Sequence, residues 1–241
     1  MNFVKAFISN RYASLTAWLL LVCVCSAAGI AARNPWIVDG LLWRFERLES
    51  QPRLGQRIFE NNVHFQSLWD DRLVPLGSTI IFGDSHLRML PRGNNIHTYN
   101  FAIGGQAIRR MVGRVKQFKS LSNAKLIVVN GGENDLTERV AVDRIIDDWY
   151  ELLNSLPKDK KIMCVGLPVT DGPRINAEYV KQLNAGIARV CQSRNAIFFD
   201  VTVGVGLFQN VEISQDHMHL SVAGQKILMD AIDRESNRQG N

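Results

Sequence analysis

Cysteine is sparse, with 4 residues in 241, too few for the disulfide-dense scaffold of a small secreted domain, and no Cys-x-x-Cys pair occurs. Cys23 and Cys25 sit inside an apolar stretch, Cys164 in a strand-like run and Cys191 late in a helical run. All four read as small hydrophobes, not as metal, redox or disulfide partners. A strong charge of one sign is also missing. Lys plus Arg number 28 against 23 Asp plus Glu, and the excess is scattered, so nucleic acid is not the expected partner. Repeats and low-complexity tracts are absent, which excludes solenoids and collagen-like chains. Gly104-Gly105 and Gly131-Gly132 lack the Gly-x-Gly-x-x-Gly spacing that cradles a dinucleotide, and no cofactor is expected.

One long apolar run is present, near the start. No Asp, Glu, Lys, Arg or His lies between Tyr12 and Ala32, and Leu15 to Ile30 is apolar enough to cross most of a bilayer as a helix. Lys5 and Arg11 precede it, as in an export signal. Ser26-Ala27-Ala28 offers a cleavage site, which would release a secreted protein, but the run exceeds the roughly 7–15 residues of a signal core. An uncleaved signal anchor is therefore expected. Leu20-Leu21-Val22 before Cys23 lacks the small residue next to a lipidated cysteine. Arg33, Arg44 and Arg47 rival the N-terminal basic residues, so the short tail decides orientation. The expected layout is a cytoplasmic tail at 1–11, a transmembrane signal anchor at 12–32, a juxtamembrane helical linker at 33–76 and a domain at 77–241 outside the cytoplasm, periplasmic in a bacterium. In the linker, Leu41, Phe45 and Leu48 recur at helical spacing, and a spacer packed on the domain is expected before a helix lying along headgroups.

From Gly77 the pattern is regular. Runs rich in Ile, Val and Phe predict strands at 79–82, 98–102, 126–130, 162–167 and 197–201. Helices are predicted between them at 106–119, 138–156 and 174–194, and last at 222–234 with Ser221 as N-cap. Alternation of this kind implies an α/β domain with a five-stranded parallel sheet covered on both faces, its active groups on loops at the strands' carboxyl ends.

Four of those ends carry chemistry. The first strand runs into Gly83-Asp84-Ser85-His86, the second into Asn100-Phe101-Ala102-Ile103-Gly104-Gly105 and the third into Gly131-Gly132-Glu133-Asn134-Asp135; Asp216-His217-Met218-His219 precedes the last helix. Leu87 excludes the Gly-x-Ser-x-Gly nucleophile elbow. In this order the blocks resemble those of the SGNH (GDSL-like) hydrolases: Gly-Asp-Ser, Asn-x-x-x-x-Gly, Gly-x-Asn-Asp and Asp-x-x-His. The resemblance spans Thr79 to the last helix and implies a three-layer flavodoxin-like fold.

A serine hydroxyl is a weak nucleophile until a base takes its proton. The resemblance implies Ser85 as nucleophile, His219 as base and Asp216 as the group that fixes the imidazole tautomer. It also implies an oxyanion hole of the Ser85 and Gly105 N–H groups and the Asn134 amide. Asp84 and Asp135 read as turn-stabilising acceptors. His217 and His219 could ligate a metal, but no third ligand type joins them, and no metal is expected. His86, where better-known members carry leucine, reads as a solvated histidine at a helix start. Arg109, Arg110, Arg114, Lys116 and Lys119 read as a solvated face, the alternative being attraction for an anionic polymer or headgroup.

The expected function is a serine esterase removing acetyl or another short acyl group from an extracytoplasmic glycan or small ester. The alternative is a polysaccharide O-acetyltransferase with the same triad, fed by a membrane-bound acyl-donor partner; a silent glycan-binding module is a third reading. No long apolar lid separates the blocks, which disfavours a triglyceride lipase.

Overall fold

Strands form where the sequence puts apolar side chains on both sides of the backbone. Ile80, Ile81, Phe82 and all of Leu126 to Val129 are buried, as expected for a sheet covered on both faces. The computed structural model describes residues 54–91, 97–169, 175–206, 214, 216 and 218–238. The expected tail, the signal anchor and the Leu41-Phe45-Leu48 stretch lie outside the described residues. Among the described residues no helix is long and apolar enough to cross a membrane.

The strands are β1 (Thr79–Phe82), β2 (Thr98–Asn100), β3 (Leu126–Asn130), β4 (Lys161–Val165) and β5 (Ile197–Phe199), and the sheet order is β2-β1-β3-β4-β5. Every pairing is parallel. This is a doubly wound order. The described helices are α1 (Leu54–Asp71), α2 (Ser85–Arg88), α3 (Ile108–Val115), α4 (Glu133–Thr137), α5 (Val142–Ser155), α6 (Ala177–Ser193), α7 (Val201–Gly206) and α8 (Val222–Asn237), with a 3₁₀ turn at Ser120–Asn123.

The two-residue period of the strands divides the core. Ile80, Phe82, Ile127, Val129, Ile162 and Cys164 pack with α3, α5 and α6, including the wholly buried Trp149. Ile81, Leu126, Val128, Met163 and Val165 pack instead with Leu87 of α2 and Leu228 and Ile232 of α8. The result is three layers. Fully burying one such aliphatic side chain contributes about 1.5–3 kcal/mol, so the two faces together supply the main driving force.

Several element bounds differ from the sequence reading. The helix expected at 138–156 starts later, as α5 at Val142, and the short α4 ahead of it was not expected; Arg139, with a left-handed backbone (φ 58°), lies between the two. Beyond β2 and β4 the chain leaves the ladder but keeps single bonds to it: Phe101 N donates to Ile81 O at 2.8 Å and Gly166 N to Phe199 O at 2.9 Å. After Phe199 the chain turns into α7 rather than extending the strand.

The second half of the expected linker is helix α1, and it is docked. The compact unit begins at Leu54, ahead of the boundary expected at Gly77. Asp71 at the end of α1 accepts from the backbone N–H groups of Lys119 (2.9 Å) and Ser120 (3.2 Å), and from the Ser120 hydroxyl. Leu68 packs against the α3–α5–α6 face of the core.

The cysteine reading needs correction. A disulfide joins Cys164 of β4 to Cys191 of α6, both wholly buried. The linear spacing of 27 residues gives no sign of it; the crossover that lays α6 on β4 brings the two thiols together. A loop of this length closed by a disulfide contributes about 3–4 kcal/mol in the chain-entropy account. Replacing both cysteines by alanine is therefore expected to lower the unfolding free energy by roughly that amount, read from urea midpoints under oxidising conditions.

Candidate active site

β1 stops at Phe82, and the chain turns through Gly83 and Asp84 so that Ser85 opens α2. Asp84 caps this short helix by accepting the His86 N–H at 3.0 Å. The Ser85 hydroxyl faces His219, with Oγ 2.9 Å from Nε2. On the far side of the ring, His219 Nδ1 lies 2.7 Å from Asp216 Oδ2. The Asp216 carboxylate also accepts the backbone N–H groups of His219 (2.6 Å) and Met218 (3.0 Å), so one residue orients both ring and loop. Its slight burial works against ionisation, yet these hydrogen bonds hold its carboxyl well below the usual carboxylate range. Ser221 then caps α8 through Gly224 N at 3.1 Å, as its sequence position predicts.

The second turn lies against the first. Asn100 donates to Leu87 O at 2.7 Å and accepts from Ala102 N at 3.0 Å, tying the end of β2 to α2. A Cβ built on Gly104 would come within 4.0 Å of the Ser85 Cβ. Gly105 has a left-handed backbone (φ 77°), which a residue without a Cβ adopts freely. Among the described residues, neither the Ser85 nor the Gly105 N–H donates to another backbone or side-chain acceptor. Asn134 brings its amide to 3.4 Å from both Asp84 Oδ2 and Gln106 O. It enters on α4, whose approach from β3 needs the left-handed Gly132 (φ 112°); a Cβ there would meet Leu183 at 2.9 Å. Asp135 accepts the Ile108 N–H at 3.0 Å, and burial pushes its carboxyl up to about 7 against that bond. The fold thus brings Ser85, Asp216 and His219 into one hydrogen-bonded line and sets the Gly105 and Asn134 turns beside Ser85.

His86 is not the solvated histidine expected from its place at a helix start. It is 2% exposed, and its Nε2 meets the buried Glu133 carboxylate at 2.6 Å. Its ring centroid lies 5.5 Å from that of His219. Burial alone would lower its pKa; the Glu133 hydrogen bond and the charges of Asp84, Glu133 and Asp216 outweigh that and carry it up to about 9. Sequence reading missed this pair because a lone His and a lone Glu far apart in the chain signal nothing until β1 and β3 are adjacent. The basic stretch is a solvated face only in part: Arg109, Lys116 and Lys119 are exposed, but two of its arginines are not. Arg110 pairs with Glu60 at 3.0 Å, and Arg114 is buried against Gln106 Oε1 and Phe101 O at 2.5 and 2.7 Å.

His217 lies outside the described residues. Among the described residues no three His, Cys, Asp or Glu side chains group as a metal site.

The model of the GDSL-like lipase/acylhydrolase family matches residues 83–227, more than half of the chain. The chain belongs to this family. No curated protein matches its sequence. Among solved structures, a Streptococcus pneumonia protein described as a candidate platelet activating factor aligns with TM-score 0.65 at 17% identity, over 74% of this chain and 92% of its own. A lipase/acylhydrolase from Enterococcus faecalis aligns with TM-score 0.57 at 14% identity, over 68% and 100%. An acetylxylan esterase from Geobacillus stearothermophilus gives 0.54 at 15% identity, over 69% and 97%. At these identities the likeness shows the shared fold. The family assignment makes the chain a hydrolase of acyl esters.

The raised His86 pKa has a definite sign for stability. Its charged form favours the fold fully below the ordinary value of 6.5, and this contribution disappears as pH rises through about 9. Urea unfolding at pH values across that window is expected to show a falling midpoint. The His86→Leu/Glu133→Leu double variant is expected to flatten this part of the profile.

Proposed function

We propose that this GDSL-like enzyme cleaves short acyl esters, acetyl above all, on an extracytoplasmic glycan or small ester, through an acyl-serine intermediate. The observation that carries the proposal is the unbroken line from Ser85 Oγ to His219 Nε2 (2.9 Å) and from Nδ1 to Asp216 (2.7 Å). In the proposed first step Ser85 Oγ attacks the ester carbonyl and its proton passes to His219 Nε2. The carbonyl oxygen gains the negative charge and is met by the Ser85 and Gly105 N–H groups and the Asn134 amide. Collapse of this intermediate breaks the bond to the alcohol oxygen, which takes the proton from His219 and leaves. Water then attacks the acyl-serine, giving its proton to His219. Release of the acid returns that proton to Ser85. Asp216, ionised and fixed by four hydrogen bonds, stabilises the imidazolium at each stage.

Two observations support the setting. The Cys164–Cys191 disulfide suits an oxidising compartment, and the apolar run at 12–32 suits a single-pass anchor that holds the domain outside the cytoplasm. The same anchor favours the second reading, an O-acetyltransferase supplied by a membrane-bound acyl donor, in which a sugar hydroxyl replaces water in the second step.

Ser85→Ala is expected to abolish release of acetate from p-nitrophenyl acetate, followed by absorbance and by acetate assay. Asp216→Asn is expected to lower kcat by about 10³–10⁴ with little change in KM. Persistent turnover in Ser85→Ala would remove the nucleophile assignment. Supplying an acetylated donor with and without a glycan acceptor, and weighing the products by mass spectrometry, separates the two readings. Loss of acetyl groups from glycan supports the esterase; transfer to the acceptor at the expense of free acetate supports the transferase.

A further inference from the structure

The Gly105 N–H and the Gly104 carbonyl are the two ends of one planar peptide group. No peptide bond among the described residues is cis, so the two point in opposite directions, and whatever holds the carbonyl aims the N–H. The carbonyl is held by a residue of α1. Gln56 Nε2 donates to Gly104 O at 3.0 Å and to Glu60 Oε1 at 3.0 Å. Glu60 is buried and is gripped by Arg110 through two bonds, Nε to Oε2 at 3.0 Å and a terminal guanidinium nitrogen to Oε1 at 3.1 Å. That same Arg110 nitrogen donates to Gly105 O at 2.9 Å. Both peptide groups that flank the Gly105 Cα are thus fixed by one network, and two of its three side chains stand on α1. The fit is close: a Cβ at Gly105 would lie 2.6 Å from Gln56 Nε2.

We propose that Gln56, braced by Glu60 and Arg110, is a positioning residue that aims the Gly105 N–H at the developing oxyanion. The proposal rests on the reading of Gly105 as an oxyanion donor. A hydrogen bond to the carbonyl also polarises the peptide and strengthens the N–H at its other end as a donor. Gln56 and Glu60 lie ahead of the span matched by the family model, which begins at residue 83. Helix α1, which precedes the span matched by the family model, therefore takes part in setting the catalytic rate.

The test uses the full chain. Gln56→Met keeps much of the side-chain volume and removes the donor; Gln56→Glu replaces the donor with an acceptor that repels the carbonyl. Both variants are expected to lower kcat for p-nitrophenyl acetate about tenfold, less than the roughly 10²–10³ lost when an oxyanion donor is deleted. KM is expected to stay within about twofold in both variants and the thermal midpoint within about 2 °C in Gln56→Met, since a loosened oxyanion donor acts on the transition state and not on folding, whereas Gln56→Glu also meets the Glu60 carboxylate and is expected to unfold earlier. Inactivation by an acyl phosphonate, whose tetrahedral oxygen occupies the same donors, is expected to slow in parallel. An unchanged kcat in both variants, beside an inactive Ser85→Ala control, overturns the positioning role and leaves the nucleophile reading standing. Activity in the Ser85→Ala control overturns the reading of the site itself. A large drop in thermal midpoint in Gln56→Met, with kcat and KM both altered, also overturns the proposal, because Gln56 would then be a packing residue.

Discussion

The site depends on the parallel register of β1 with its two neighbours. Ile81 stands level with Asn100, and Phe82 with Val129, so three strands release their chains at one edge of the sheet within a residue or two of each other. Each released turn carries one of the functional groups. Polar links then run between turns: Asn100 to Leu87, Asn134 to Asp84, His86 to Glu133 and Ile108 N to Asp135. Moving one turn would strand a buried polar partner in another, at a cost of about 1–3 kcal/mol per group. The proposed oxyanion donors are thus held before any substrate arrives, as a pocket that favours a charged intermediate over a neutral ester requires.

Three aspartates show how environment divides their roles. Asp84 is wholly buried; burial raises its pKa, and the charge of His86 and the backbone bond from His86 N oppose that rise. Asp135 is buried, pushed up to about 7, and spends its oxygen on a helix N–H. Asp216 is exposed and held low by donors that prefer its charged form. Of the three, Asp216 alone is held below the usual carboxylate range, which suits the partner of an imidazole that becomes positive in the proposed mechanism. The buried His86–Glu133 hydrogen bond lies beside the site and offsets part of the cost of burying the imidazole, while His86 Nδ1 has no hydrogen-bond partner among the described residues.

The sheet and the turns that bring Ser85, Asp216 and His219 together were legible in the sequence for a clear physical reason. Buried parallel strands are short continuous runs of Ile, Val and Phe, and the turns after them tolerate only a few residue types, so both leave local marks. Ser85, Asn134, Asp216 and His219 each sit in such a turn. What was not legible required knowing which elements touch. Cys164 and Cys191 look like two more core residues until α6 crosses β4, and His86 looks solvated until Glu133 arrives from β3. A packed spacer was expected ahead of the sheet, but the contacts that dock α1 were not legible: Gln56, Glu60 and Asp71 are polar, and their partners lie about 50 residues away in the chain. Helix ends were misjudged where a single backbone conformation decides them, as at Arg139, since a left-handed non-glycine residue leaves no compositional trace.

The close seating of Gln56 on Gly105 has an evolutionary corollary. A methyl group at position 105 would collide with the amide at 56 and would also meet an unfavourable backbone angle. A larger residue there would push the end of the glutamine side chain aside and cost its bond to the Gly104 carbonyl. The two positions are therefore expected to vary together.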